Sequence, residues 1–104
     1  PWEKAKAFDG SAAVSKFFPL ATIGKDIQDI NFRLDINGNT VQSGSTANML
    51  FSVDEIISHV SKYFTLKTGD LIFTGTPAGV GRVEREDLLE LFLEQERVFY
   101  FNVK

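Results

Sequence analysis

Three glycines, two threonines and a proline fall within eight residues, at positions 74–81 (Thr-Gly-Thr-Pro-Ala-Gly-Val-Gly). Glycine lets a backbone approach a ligand closely, and threonine offers a hydroxyl and an N–H group to oxygen atoms. The spacing matches neither G-x-G-x-x-G nor a Walker loop, and no helical pattern follows Gly81, which argues against a phosphate site. Two interpretations of this segment, here called the glycine loop, stay open: contact with a small ligand, and an ordinary turn.

Two other side chains could take part in chemistry. Lys6 lies within an apolar stretch at residues 5–8 (Ala-Lys-Ala-Phe), and an ammonium in such a pocket can hold a carboxylate or stabilise an oxyanion. Most lysines are solvated, so the local sequence alone favours a surface position. His59 falls away from the apolar face of a predicted helix and has no identified partner residue, so a surface position is favoured over a catalytic or metal role. No close carboxylate pair of the kind that holds a hard cation occurs outside the charged run at residues 84–87.

Composition excludes several classes of function. The 104 residues carry a net charge of -3 and no basic stripe, so we expect no nucleic-acid partner. The absence of cysteine excludes disulfides and thiolate chemistry, and a single histidine excludes a Cys/His zinc site. No apolar run approaches the roughly 20 residues of a membrane helix, so we expect no membrane partner and a cytoplasmic location.

A β-hairpin is predicted at residues 30–42. Apolar residues alternate with polar ones from Ile30 to Ile36, which predicts a half-buried strand. Asn37-Gly38 follows, a pair that adopts the positive φ angles of a type I′ turn, and residues 40–42 would form the returning strand.

One amphipathic helix is predicted at residues 53–64. Ser52 and Glu55 have the spacing of a capping box, and the apolar residues that follow fall on one helical face. Residues 1–20 indicate loop and short strand, and residues 24–29 a turn-rich connector. Strands are predicted at residues 70–73, which lead into the glycine loop, at 89–93 and at 98–103, with a turn at 94–96.

These elements predict a β-rich α+β chain with one main amphipathic helix. The strands do not alternate with helices, which disfavours a doubly wound sheet. We expect a sheet that curls and needs a partner layer.

Three segments resemble motifs of the fumarylacetoacetate hydrolase family. Residues 5–9 (Ala-Lys-Ala-Phe-Asp) are similar to its G/A-K-S-F-D segment, and residues 44–52 (Gly-Ser-Thr-Ala-Asn-Met-Leu-Phe-Ser) to its G-x-T-x-x-M-I-F-S/P segment. Residues 66–81 resemble its L-x-x-G-D-x-I-x-T-G-T-P-x-G-V-G segment. The motifs keep the family's order over essentially all 104 residues. Residues 1–104 therefore resemble the C-terminal part of a single catalytic domain, nearest to the small acylpyruvate hydrolase-like members.

The resemblance implies a fold, an activity and a cofactor. The fold is part of a rolled mixed β-sheet, in an enzyme that is usually a homodimer. The expected activity is metal-dependent hydrolysis of a C–C bond in a small 2,4-dioxo acid, such as an acylpyruvate or fumarylpyruvate. An isomerase or an oxaloacetate-type decarboxylase is the alternative, and a non-catalytic β-domain is expected if the metal carboxylates are missing from the protein. The cofactor would be a divalent cation, Mg²⁺ first and Mn²⁺ or Ca²⁺ next, held by an E-x-E pair and an Asp upstream of Pro1, with no metal ligand in this chain.

The resemblance also assigns the site residues. Lys6 matches a catalytic lysine that faces the substrate oxygens, and Gly75 and Thr76 match a substrate-binding Gly-Thr pair. The general base would lie outside this chain. Ala7 stands where the family usually has serine, and Ala12-Ala13 replaces a pair such as Cys-Pro, which leaves the substrate class open.

Overall fold

The computed structural model describes residues 1–104 and places four strands in one antiparallel sheet. The strands are β1 (Asn31–Ile36), β2 (Asn39–Ser45), β3 (Leu88–Leu93) and β4 (Glu96–Asn102), in the order β2-β1-β3-β4. The helices are α1 (Trp2–Lys6), α2 (Leu20–Ile23) and α3 (Val53–Val60), with a 3₁₀ turn at Thr46–Asn48. The β-rich α+β class with one main amphipathic helix is confirmed.

The predicted hairpin forms, and its tip is anchored to the next strand. Asn37 and Gly38 have φ angles of 50° and 81°, as the type I′ turn requires. The Asn37 side chain accepts a hydrogen bond from the backbone N–H of Leu88 (2.9 Å) and donates one to Asp87 Oδ1 (2.8 Å). The turn between β1 and β2 therefore also fixes where β3 begins.

The sheet has one apolar face and one charged face. Paired side chains on the apolar face include Leu34 opposite Leu91, and Leu91 opposite Phe99. On the other face Arg97 donates to Glu90 (2.8 Å), and the buried carboxylate of Asp35 bonds Arg33 and Thr40. Only three residues of the chain are buried, Ile30, Asp35 and Leu89. The apolar face is therefore half-exposed.

Helix α3 begins at its predicted capping box and ends one turn early. Ser52 Oγ accepts from the Glu55 N–H (3.1 Å), while the Glu55 carboxylate accepts from the Ser52 N–H (2.7 Å). At the other end Ser61 Oγ donates to the carbonyl of Ser58 (2.9 Å), a local bond that competes with the helix. Residues 61–64 continue as turns, so the predicted range of 53–64 was too long.

Three further predictions of elements need correction. Residues 70–73 are not a strand: residues 71–83 make no backbone–backbone hydrogen bond, because none of the four strands pairs with them. Residues 1–20 contain no strand, and instead hold α1 and the first residue of α2. Strand β4 begins at residue 96 rather than 98, because a two-residue turn already closes the β3–β4 hairpin.

Candidate active site

The glycine loop lies against β2, an edge strand of the sheet. The side-chain amide of Gln42 donates to Thr76 Oγ1 (2.9 Å) and to the carbonyl oxygen of Pro77 (3.1 Å). Gly79 has a φ of 101°, and a Cβ there would overlap the backbone carbonyl oxygen of Val41. Glycine is therefore required at this contact for two reasons, its left-handed backbone and the lack of room for a side chain.

The loop and the end of β2 enclose a first cavity of about 490 Å³. The cavity brings together residues from the two segments that resemble family motifs, residues 44–52 and residues 66–81. The 3₁₀ turn shapes this wall, since Ser45 Oγ accepts a hydrogen bond from the Ala47 N–H (3.2 Å). Residues 49–51 add an apolar rim, on which Leu50 is 95% exposed.

A second cavity of about 400 Å³ lies on the apolar face of the sheet. It shares four residues with the first: Phe32, Gly75, Thr76 and Pro77. Its remaining wall is largely apolar and comes from residues 13–18 and from strands β1, β3 and β4. The segment 75–77, here called the partition, therefore lines both cavities.

Gly75 and Thr76 present unused hydrogen-bond donors at this partition. Their backbone N–H groups donate to no acceptor in the chain, and both residues are exposed. The Thr76 hydroxyl accepts from Gln42 but donates to no group. At Gly75, which has a φ of 106°, no atom lies within 4 Å of the place that a Cβ would take. Two N–H groups and one O–H group therefore have no acceptor within the chain and are available to the oxygen atoms of a ligand.

Lys6 lies apart from these donors. It is exposed at the end of α1, with its Nζ 5.2 Å from the centroid of the Trp2 ring, and it lines neither cavity. The structure thus brings Gly75 and Thr76 together with residues 43–51, but not with Lys6. The catalytic role assigned to Lys6 stays a prediction.

The carboxylates of the chain form no metal site. No cluster of three or more His, Cys, Asp or Glu side chains could hold a metal ion, so the described residues do not by themselves fit a divalent cation.

The three helices are all short, and none has the length and apolar character that crossing a bilayer requires.

Three acidic groups are held ionised by backbone hydrogen bonds. The N–H of Ser52 lowers the pKa of Glu55, that of Glu84 lowers the pKa of Asp87, and that of Asn31 lowers the pKa of Glu94. A carboxylate that accepts such bonds is stabilised in its charged form. None of the three lines a cavity, so they stabilise a helix end and two turns rather than take part in the site.

Gln42 is the site residue that sequence reasoning missed. It pairs with Leu34 in the sheet and is half-buried on the apolar face. A polar residue in register with apolar neighbours was the signal available in the sequence. Its partners, however, lie 34 and 35 positions along the chain, and no local pattern predicts them.

Comparison with known proteins identifies the family. Residues 1–100 match the family profile described as fumarylacetoacetate (FAA) hydrolase, C-terminal. The chain belongs to the fumarylacetoacetate hydrolase family.

Curated relatives within the family carry two kinds of activity. An oxaloacetate tautomerase of Escherichia coli is 47% identical over 89 residues, covering 86% of this chain and 41% of the relative. The mitochondrial oxaloacetate tautomerase of Mus musculus is 43% identical over 104 residues, covering 100% and 47%. A 2,4-didehydro-3-deoxy-L-rhamnonate hydrolase of Sphingomonas is 37% identical over 102 residues, covering 90% and 36%. The chain therefore spans less than half the length of these relatives.

Solved structures share the fold. A Yersinia pestis CO92 protein assigned to the fumarylacetoacetate hydrolase family matches with a TM-score of 0.93 at 43% identity, covering 100% of this chain and 47% of that protein. A maleylpyruvate hydrolase from Sphingobium matches with a TM-score of 0.73 at 28% identity, covering 80% and 31%. The open sheet and the glycine loop thus belong to the family's fold.

Proposed function

We propose that this chain supplies the oxygen-binding wall of an enzyme that interconverts the keto and enol forms of a small 2-oxo dicarboxylic acid of the oxaloacetate type. The observation that carries the proposal is the set of three free donors on Gly75 and Thr76 beside the first cavity. The two tautomerase relatives, at 47% and 43% identity, support the choice of reaction.

Tautomerisation moves one proton across the substrate. A base removes a hydrogen from the carbon next to the ketone, the electron pair forms a C=C bond, and the former carbonyl oxygen gains negative charge before it takes up a proton. Donors that are already in position stabilise that oxygen as its charge develops. The N–H and O–H groups of Gly75 and Thr76 are suited to this role. Neither cavity is lined by Asp, Glu, His or Lys, so the base is proposed to come from elsewhere in the protein.

Lys6 is proposed to act on the same intermediate. Its ammonium would neutralise the enolate or the substrate carboxylate, as the resemblance of residues 5–9 implies. In the structure of this chain Lys6 is exposed at the C-terminal end of α1. We propose that its side chain reaches the site when the whole protein is assembled around the substrate.

Hydrolysis of a C–C bond in a 2,4-dioxo acid is the second candidate, and it is the activity that the sequence predicted. Water would add to the distal carbonyl, the bond between the two carbonyl-bearing halves would break, and an enolate would leave. Decarboxylation of a 2-oxo acid reaches a similar enolate with loss of CO₂. The Sphingomonas hydrolase relative and the maleylpyruvate hydrolase structure favour keeping this candidate.

A divalent cation, Mg²⁺ with Mn²⁺ or Ca²⁺ as substitutes, is proposed as the cofactor of the whole protein. Residues 1–104 gather no carboxylate cluster, so its ligands are proposed to lie outside them. A homodimer is proposed on the same resemblance, with a small 2-oxo acid as the ligand. A cytoplasmic location stays the expectation drawn from the sequence.

One assay series separates these activities. The natural protein that contains this chain is supplied with Mg²⁺ or Mn²⁺ and given oxaloacetate, acetylpyruvate and fumarylpyruvate in turn. We expect fast decay of the ultraviolet absorbance of enol oxaloacetate, without release of CO₂. Cleavage of acetylpyruvate or fumarylpyruvate without enol decay would replace the tautomerase by the hydrolase, and CO₂ release would replace it by the decarboxylase. Inactivity towards all three would favour a non-catalytic domain.

A further inference from the structure

We propose that Gln42 is a positioning residue, which orients the Thr76 hydroxyl so that its hydrogen points at the bound ligand. The inference rests on the proposed function, because it concerns the same oxygen-binding wall. Gln42 sits on β2 and reaches the glycine loop through two hydrogen bonds, 2.9 Å to Thr76 Oγ1 and 3.1 Å to the Pro77 carbonyl.

The Pro77 carbonyl fixes which end of the Gln42 amide faces the loop. A carbonyl oxygen only accepts, so the group opposite it must be the NH₂ of the amide rather than its oxygen. The reversed amide would set two acceptors against each other. Because the same NH₂ also faces Thr76 Oγ1, the second bond is likewise donated by Gln42.

The direction of that bond decides what the Thr76 hydroxyl can do. A hydroxyl has one hydrogen and two lone pairs, and Gln42 occupies one lone pair. The O–H hydrogen must then point away from Gln42, and no acceptor in the chain receives it. Thr76 is thus held as a donor before any ligand arrives, which is the condition for electrostatic preorganisation.

Strand β2 is shaped for this contact. The pairing of β1 with β2 shifts register between Leu34 and Asp35, which leaves Val41 as an extra residue next to Gln42. Bulges of this kind re-aim side chains and are common next to active sites. The Val41 carbonyl contacts Gly79, and Gln42 bonds to Pro77. Two consecutive residues of β2 therefore contact the loop on either side of Ala78.

The Gln42→Glu variant keeps the shape of the side chain and reverses its hydrogen bonding. A carboxylate cannot donate, so it accepts the Thr76 hydrogen and removes that donor from the ligand. We expect kcat of the natural protein to fall by about tenfold or more with a smaller change in KM, and part of the loss to be recovered at lower pH as the new carboxyl becomes protonated and can donate.

A double-mutant cycle with Thr76→Val tests whether Gln42 acts through Thr76. We expect Gln42→Glu to cause a clearly smaller loss of kcat in a Thr76→Val background than in the wild type, because the hydroxyl it orients is gone and only the bond to the Pro77 carbonyl is left to lose. Additive losses, or a Gln42→Glu effect that does not change with pH, would overturn the proposal and leave Gln42 a structural contact.

A measurement of the bond itself keeps this test separate from that of the proposed function. In ¹⁵N-labelled natural protein, the side-chain NH₂ resonances of Gln42 should be protected from exchange and should shift when Thr76 is changed to Val. Unchanged resonances would overturn the inference whether or not the protein turns over any substrate. Failure of the wild-type assays with the expected resonance shift would instead refute the proposed reaction and leave the donor orientation supported.

Discussion

Thr76 shows how the proposed site depends on donors rather than on charges. Replacing it by Val keeps the volume of the side chain and removes both the free O–H and the acceptor of Gln42. We expect kcat of the natural protein to fall on the order of 100-fold, as loss of one preorganised donor does. Steady-state kinetics with circular dichroism as a folding check measures this. Thr68→Val is the matched control, since Thr68 is exposed and lines neither cavity; equal losses in both variants would contradict the assignment.

Lys6 makes a separate prediction at the same scale. If it neutralises charge on the substrate, Lys6→Ala lowers kcat of the natural protein on the order of 100-fold. Lys4→Ala is its control, because Lys4 is an exposed lysine of the same short helix. Near-normal turnover of the Lys6 variant would rule out the catalytic role.

Single residues were predictable where a family motif or a local pattern contains them. Gly75 and Thr76 came from the resemblance of residues 66–81, and the composition of the loop alone left a ligand site and a turn open. Gln42 could not be found in this way, because its function depends on a contact made across 34 positions of chain. Side-chain direction in a bulged strand is a tertiary property, and sequence periodicity does not encode it.

The docking of the glycine loop on β2 makes a prediction about an element. Gly79→Ala places a Cβ against the Val41 carbonyl and strains a φ of 101°. We expect the free energy of unfolding of the natural protein to fall by on the order of 1–3 kcal/mol, measured by urea denaturation. Gly81→Ala provides the comparison, since no atom lies within 4 Å of a Cβ there. A loss in both variants of the same size would show that the loop is not held at Gly79.

The capping box of α3 makes a prediction about pH. The pKa of Glu55 lies below its ordinary value of 4.5, chiefly because its carboxylate accepts the Ser52 N–H. A depressed pKa means that this contribution to stability is complete above the ordinary value and is lost as pH falls through the folded pKa. We therefore expect Glu55→Gln to reduce the fall in the free energy of unfolding of the natural protein as pH decreases. Denaturation followed by circular dichroism from neutral pH downward measures this. An unchanged acid limb would argue against a structural role for the Glu55 charge.

Elements were predictable in proportion to how local their interactions are. The Asn37-Gly38 turn and the Ser52–Glu55 capping box each form within a few residues, and both were predicted correctly. Residues 70–73 failed as a strand because an apolar run needs a neighbouring strand to pair with, and the chain supplies none. The end of α3 was missed because residues 61–64 continue as hydrogen-bonded turns, so Phe64 still falls at the apolar spacing of a helix.

The molecule as a whole exposes more surface than an independent domain does. Its accessible area is 8413 Å², whereas a globular protein of this mass exposes roughly 5,800 Å². Its radius of gyration is 14.9 Å, against roughly 13 Å for an ordinary domain of this length. Most of the large apolar side chains that are exposed lie outside the sheet, in the helices and loops, and include Phe17, Leu50 and Phe73. These side chains and the half-exposed apolar face of the sheet agree with the expectation of a partner layer.

We therefore expect the polypeptide of residues 1–104, produced alone, to lack a cooperative folding transition. With only three buried residues it has too small a core to offset the entropy of an ordered chain. Thermal unfolding followed by near-ultraviolet circular dichroism, with binding of a hydrophobic dye, measures this. Sedimentation in the same buffer reports association, and a sharp transition of a monomeric species would contradict the expectation.

The partition formed by residues 75–77 has a consequence for how such enzymes can diversify. The donors lie on the partition itself. The second cavity takes the rest of its wall from other parts of the chain, including Ala13, Phe18 and Phe99. We expect substitutions at those positions to change the size and shape of the second cavity without moving the donors proposed to bind the substrate oxygen. Enzymes with this arrangement can therefore accept different substrate tails through substitutions in the wall of the second cavity, while the donors on the partition are kept.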